Sequence, residues 1–372
     1  MPAHPALLRE LGLSLEFWAV LALTAGAAAL GAGLVAASGP IDTVKARSSH
    51  YTPTPTGAGL AILAAACLGA ALLAPAVGGL AVLLACAAAL GLFGAADDVL
   101  DLGAGLKLLA QIAAAVAVAA WAARVSSLPL APGLTLQLDP LSGLAGSALF
   151  LLVLVNAANF MDGSDGLASG WAAVSAGGLG LAATFADEPA VAATAAALAA
   201  ANLGFLPCNL RRRVFQGDVG AFFSALCLGG LGLILAQRQA STPYLVVFAA
   251  LPLLVDVLLT LIMRVRRGAR LSEAHKEHLY QRWLQATGRP HHQLAWRVWA
   301  LTALTTAIGF GFERYAPDWA FVGLMVTTAL LSAGWVLARA RLSALHPRTA
   351  EAAAPRADRP AGAADTGTPR NR

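Results

Sequence analysis

Residues 217–236 read GDVGAFFSALCLGGLGLILA. One acid, Asp218, heads the run, and no charged residue follows it from Val219 to Ala236. Crossing the hydrocarbon layer as a helix takes about 20 mostly apolar residues. Such a run enters lipid as a helix, since a helix satisfies its own backbone hydrogen bonds where no water can. Comparable runs occupy 17–37, 57–75, 77–96, 106–123, 143–160, 169–186, 190–208, 219–236, 243–263, 294–312 and 319–338. The expected fold is therefore an all-α integral membrane protein, a polytopic bundle of about eleven transmembrane helices.

Composition supports this. The chain has 372 residues, of which 58% are hydrophobic and 12% charged; soluble domains carry about 25% charged residues. Many runs are rich in Ala and Gly, which let helices approach closely in lipid. Cys67, Cys86, Cys208 and Cys227 lie in or at the end of apolar runs, without metal-ligand spacing, and read as small apolar fillers. No small-residue cleavage site follows the run that begins near Phe17, so it is expected to be retained. Residues 128–138, with Pro129, Pro132 and Gly133 as breakers, suggest a short external hairpin. Residues 1–346 form the expected membrane domain, and 347–372, rich in Ala, Pro, Arg, Asp and Gly, a disordered cytoplasmic tail.

Lys and Arg orient the bundle, because cytoplasmic segments retain them. With the N-terminus outside, the inner segments hold 20 of these residues and the outer segments 4. The same orientation brings four polar patches to the inner side: Asp97-Asp98-Val99-Leu100-Asp101, Asn156 to Asp165, Gly217 to Gly220, and His275-Lys276-Glu277-His278. Carboxylates at a membrane surface are costly unless they hold a cation or a substrate.

Each patch has a plainer competitor. Asp97 and Asp101 share a helical face at i,i+4, and Asp98 and Asp101 adjoin at i,i+3. These acids would repel across a solvated helix end, and no basic residue follows before Lys107. In NAANFMDGSDGLASG, Asp162 and Asp165 each precede glycine, a pairing that makes tight turns with exposed N–H groups suited to phosphate or ribose. Asp218 stands at a helix N-terminus, where it is either a cap or a metal ligand beside a bound phosphate. Arg211, Arg212 and Arg213 are either substrate-phosphate contacts or inner-face anchors. His275 and His278, three apart, share a face and would bind metal when neutral or phosphate through hydrogen bonds; the competitor is a basic surface helix. His291 and His292 read as ordinary loop residues. Asp256 lies inside the ninth run, with Arg264 two turns on as a candidate partner.

In this order and topology, the strings DDVLD, NAANFMDGSDGLA, GFLPCNL…VFQGDVG and HKEHLYQRW resemble the motifs of polyprenyl-phosphate N-acetylhexosamine-1-phosphate transferases. The resemblance covers about residues 38 to 290. PIDTVKARSSHYTPTPTGAGLAI is similar to the family's first inner loop, with Thr56 and Ala58 where Arg and Gly are usual. Arg211-Arg212-Arg213 replaces a Pro-Ala type segment, and Ala221 a frequent serine. The His-x-x-His loop ending in Tyr280-Gln281-Arg282 resembles the branch that initiates O-antigen or other bacterial surface glycans.

The resemblance implies a reaction: undecaprenyl phosphate attacks the β-phosphate of a UDP-N-acetylhexosamine, giving undecaprenyl-pyrophosphoryl-sugar and UMP, with Mg2+ or Mn2+ required. It implies Asp218 and Asn159 as metal ligands and Asp97 and Asp98 as the groups that position or deprotonate the lipid phosphate. Asp162 and Asp165 would serve the nucleotide or the metal's surroundings. Asn156, His275, His278, Arg282, Lys45 and Arg47 would contact substrate, the histidines and Arg282 at the pyrophosphate. The implied location is the bacterial inner membrane, multi-pass, with the site facing the cytoplasm. Expected partners are the two substrates and the bilayer, with homodimerisation left open and no nucleic acid. The rival reading is a transporter, which would place its ionisable groups near the bilayer midplane; Asp256 is the residue that keeps it in play.

Overall fold

The computed structural model describes residues 14–42, 53–74, 78–270 and 275–353. Every apolar run is a helix: α1 (Leu15–Ser38), α2 (Gly59–Leu73), α3 (Gly79–Leu100), α4 (Ala104–Ala117), α5 (Pro140–Met161), α6 (Leu167–Phe185), α7 (Pro189–Leu210), α8 (Gly217–Leu235) and α9 (Thr242–Arg266). A short amphipathic helix, α10 (Leu279–Thr287), precedes α11 (His291–Tyr315) and α12 (Ala320–Ala353). Among the described residues, nine helices are long and apolar enough to cross a membrane. The other two of the expected eleven are α2, with 15 residues, and α11, whose 25 residues begin on His291, His292 and Gln293 and include Arg297. The chain is an all-α, multi-pass membrane protein.

Two boundaries differ from expectation. Helix α12 continues to Ala353, past the boundary set at residue 347; residues 354–372 lie outside the described residues, as do Lys45 and Arg47. Helix α4 widens into a π-helical turn at Val118–Ala122. The expected hairpin at 128–138 is present as β3 (Ser127–Ala131) paired antiparallel with β4 (Leu134–Gln137).

Helix α8 is the centre of the bundle and packs against α2, α3, α5, α6, α7 and α9. Phe222, Phe223, Leu226 and Leu231 are fully buried on it. The outward faces of α1, α4 and α12 keep large apolar side chains exposed, including Leu30, Leu109, Trp121 and Leu337. On a membrane bundle, such a surface is the lipid contact. Gly94 lets α3 reach the first turn of α8: a Cβ there would lie 2.8 Å from Val219 N. The acid-bearing ends of both helices are thereby joined.

A backbone clasp fixes the segment ahead of α8. Two short strands, β1 (Ile41–Asp42) and β2 (Thr54–Pro55), pair antiparallel. Past β2 the chain bonds to residues 215 and 216: Phe215 N donates to Pro55 O (2.8 Å), Ala58 N to Phe215 O (3.1 Å) and Gly59 N to Gln216 O (2.8 Å).

Candidate active site

The site forms where α3 ends and α8 begins. Asp97, Asp98 and Asp218 each offer a carboxylate oxygen, all within 4.8 Å of one another. At the end of α3, Asp101 takes a left-handed conformation (φ 51°), and α4 starts at Ala104. The reversal brings Lys107 back to the acids it follows. Its Nζ pairs with Asp97 and lies 3.0 Å from Asp218 Oδ2. Asp218 N donates to Asp98 Oδ1 (3.2 Å). Gly217, at φ 70°, makes this approach possible, since a Cβ there would overlap Asp98 Oδ2.

Three carboxylates against one lysine leave a net charge of −2 if all ionise. Each like-charge pair at this spacing costs about 4 kcal/mol at an effective dielectric near 20. Lys107, in contact with Asp97 and Asp218, offsets much of this repulsion but leaves the excess negative charge to be solvated or neutralised. Asp97 Oδ1 and Asp98 Oδ2 are also buried without a hydrogen-bond partner among the described residues. Crowded carboxylates with unsatisfied oxygens suit a hard divalent cation, which takes six or more oxygen ligands. The donor set thus fits magnesium or manganese held by Asp97, Asp98 and Asp218. The sequence reading assigned Asp218 to the metal but gave Asp97 and Asp98 a different task. Asn159 uses its backbone, its carbonyl accepting from Asp162 N (3.2 Å), and its half-buried side chain makes no hydrogen bond to the trio.

Asp162 joins from the end of α5. Gln216 Nε2 donates to Asp162 Oδ1 (2.7 Å), tying that turn to the first residues of α8. Burial pushes the Asp162 carboxyl well above its ordinary range, and Asp218, Asp98 and Asp165 add to the rise. Asp165 is separate: it is 5% exposed, with Arg212 Nε and His291 Nδ1 each 2.9 Å from its Oδ2. His291, expected to be an ordinary loop residue, instead opens α11 against this buried acid. Beside it lies an open groove of about 450 Å³, lined in part by Arg212, Lys276, Gln281, Arg289, His291 and His292.

The remaining expected residues divide. Asn156 commits both amide hydrogens, to Gln111 Oε1 (2.8 Å) and Leu152 O (2.8 Å). His278 is 3% exposed and stacks on Phe160 and Tyr280. His275 is half-buried with its ring 4.9 Å from that of His278. Burial, helped by His278 and Arg264, lowers His275 to about 4, and burial also lowers His278 against the pull of Asp256. Both shifts favour the neutral imidazole. Arg282 is half-buried on α10.

Two residues that the sequence reading left without a site role belong here. Lys107 was counted only as an inner-face charge, although its spacing from Asp97 across a short break hinted at the return. Gln216 gave no signal beyond adjacency to Gly217-Asp218.

Residues 80–236 match the glycosyl transferase family 4 model. The chain is 33% identical over 286 residues to the decaprenyl-phosphate N-acetylglucosaminephosphotransferase of Mycobacterium leprae (strain TN), covering 67% of this chain and 70% of that protein. With the protein of the same name from Mycobacterium tuberculosis (strain ATCC 25618 / H37Rv) it shares 32% identity over 296 residues, 69% and 71% of the two chains. The undecaprenyl-phosphate alpha-N-acetylglucosaminyl 1-phosphate transferase of Escherichia coli (strain K12) is 26% identical over 318 residues, 81% and 84% of the chains. Together with the four motif strings brought to one end of a helical bundle, these matches place the protein among membrane-bound phosphosugar transferases: the chain belongs to the polyprenyl-phosphate N-acetylhexosamine-1-phosphate transferase superfamily.

Proposed function

We propose that the protein transfers N-acetylglucosamine 1-phosphate from UDP-N-acetylglucosamine to undecaprenyl phosphate or a polyprenyl phosphate of similar length. The products are the polyprenyl-pyrophosphoryl sugar and UMP. The reaction would be the first membrane step of O-antigen or another surface polysaccharide, at the cytoplasmic face of the bacterial inner membrane. The carboxylate trio of Asp97, Asp98 and Asp218, with its two unpartnered buried oxygens, carries this reading. The relatives' names support the choice of sugar.

Phosphoryl transfer asks for alignment and charge neutralisation more than for covalent help. Asp97, Asp98 and Asp218 would hold a divalent cation, which would supply the neutralisation. The lipid phosphate, with a second pKa near 6, is mostly dianionic at pH 7, so its oxygen attacks without a strong base. Asp97 and Asp98 would hold the cation together with Asp218, and Lys107 would limit the repulsion the phosphate meets. Direct attack is preferred to a covalent aspartyl intermediate because the dianionic lipid phosphate is itself a competent nucleophile. The cationic groove beside Asp165 suits an anionic nucleotide donor. The transporter alternative loses its main support, because Asp256 is occupied within the protein (below).

The test is UMP release by purified protein given undecaprenyl phosphate, Mg2+ and a panel of UDP-N-acetylhexosamines. UMP from UDP-N-acetylglucosamine, dependent on lipid and abolished by EDTA, is expected. Turnover of another sugar alone would overturn the donor assignment. Metal-independent transport of labelled substrate in proteoliposomes, without UMP, would overturn the reaction.

A further inference from the structure

Asp256 is buried inside α9, at 4% exposure, yet it touches none of the acids of the site. Its carboxylate reaches across to another element. Oδ1 accepts from Leu279 N (2.7 Å) and Oδ2 from Tyr280 N (3.2 Å), the first two residues of α10. Trp335 Nε1 of α12 donates to Oδ1 (3.0 Å), and Thr260 Oγ1 does the same at 3.3 Å. A helix N-terminus has N–H groups without internal partners, and an acid placed there satisfies them. Asp256 is therefore a capping carboxylate supplied from a distant helix.

The segment just ahead of α10 is held from the same side. Glu277 Oε1 lies 2.6 Å from Arg264 Nη1, and its Oε2 lies 3.3 Å from Arg267 Nη1. Arg339 of α12, 6% exposed, donates to Glu277 O (2.8 Å). On its other face α10 docks onto the site: Tyr280 Oη donates to Phe160 O (3.2 Å), two residues before Asp162, and His278 stacks on Phe160. A continuous chain of contacts therefore runs from Asp256 through Tyr280 and the 160–162 turn to Gln216 and Asp218.

We propose that Asp256, braced by Trp335 and Arg339 of the last helix, is a positioning residue that fixes the His275–Arg282 segment against the carboxylate site and so sets affinity for the sugar-nucleotide donor. The inference rests on the transferase reading for its kinetic consequence, but not for the brace. Trp335 and Arg339 lie outside the region that the family model matches, residues 80–236.

Two readouts on Asp256→Asn and Trp335→Phe test it, both in full-length protein. Asparagine keeps the size of the side chain but cannot accept from both amides, and phenylalanine removes one donor while keeping a ring. Hydrogen exchange, which needs no turnover, is expected to speed up by about tenfold at Leu279 and Tyr280 in Asp256→Asn, and less in Trp335→Phe. In the same variant the KM for UDP-N-acetylglucosamine is expected to rise by about fivefold or more, with the KM for polyprenyl phosphate and kcat changed by less than about twofold. Unchanged exchange at both amides would overturn the brace. Faster exchange with an unaltered donor KM, or a fall in kcat alone, would overturn the positioning role. Absence of UMP release from the parent protein would count against the transferase reading alone, leaving the exchange result to judge the brace.

Discussion

Two buried acid sites lie at the same end of the bundle, and they are opposites. Asp256 is one carboxylate with four donors: two backbone N–H groups, an indole and a hydroxyl. Asp97, Asp98 and Asp218 are three carboxylates sharing one lysine and one backbone N–H, with two oxygens left unpartnered. A buried carboxylate surrounded by donors is complete and serves as a fixture. Crowded carboxylates short of donors are complete only with a cation or a substrate. Burial alone does not separate the two cases; counting donors against acceptors does.

The sharpest break in this comparison is charge removal within the trio. On the proposed function, Asp218→Asn should lower turnover by about a thousandfold or more, since it takes one negative charge from the proposed cation site. The protein should remain monodisperse in detergent, and UMP release measures the loss. Gly217→Ala comes next. It places a side chain at φ 70° against Asp98, and turnover should fall by about tenfold or more through misplacement of Asp98 and Asp218.

Lys107→Gln tests the charge balance through stability. Without metal, it leaves three carboxylates facing one another, and thermal unfolding should come several degrees earlier, equivalent to about 1–2 kcal/mol after allowing for partial exposure. Millimolar Mg2+ should recover much of the difference, because a ligand that binds only the folded state stabilises it. Asp256→Asn should show no such recovery.

The smallest effect is at Asp162. Its pKa is raised in the folded state, chiefly by burial. The folded protein therefore holds a proton that the unfolded chain releases, and stability falls as pH rises from the ordinary carboxylate range towards the folded pKa. Asp162→Asn should unfold at higher temperature than the parent at pH 7, and the gap should close near pH 4. A gap that widened on acidification would show that Asp162 is instead stabilised as the anion.

The helices were legible in the sequence because lipid leaves an apolar run no other structure. All eleven runs are helical; most ends shift by a few residues where polar residues such as His291 and Arg266 extend them, and α12 runs on from its expected end at 338 to Ala353. The grouping of Asp97 with Asp98 was legible from adjacency, and their shared side with Asp218 from the orientation. What was hidden depends on how helices lie against one another. Lys107 returns to Asp97 only because Asp101 turns left-handed, and Asp256 meets Leu279 only because the start of α10 packs against α9. His291 seemed incidental because its partner, Asp165, lies 126 positions earlier. The family resemblance implies a pyrophosphate contact at His278; its burial against Phe160 and Tyr280 could not be read from its spacing.

The central claim is that the trio of Asp97, Asp98 and Asp218 holds one divalent cation. Mn2+ binding to the purified protein, followed by electron paramagnetic resonance in the parent, Asp218→Asn and Asp256→Asn, tests it most directly. The account predicts one bound ion per chain in the parent and in Asp256→Asn, and loss of that ion in Asp218→Asn. Equal Mn2+ binding in the parent and Asp218→Asn would contradict it.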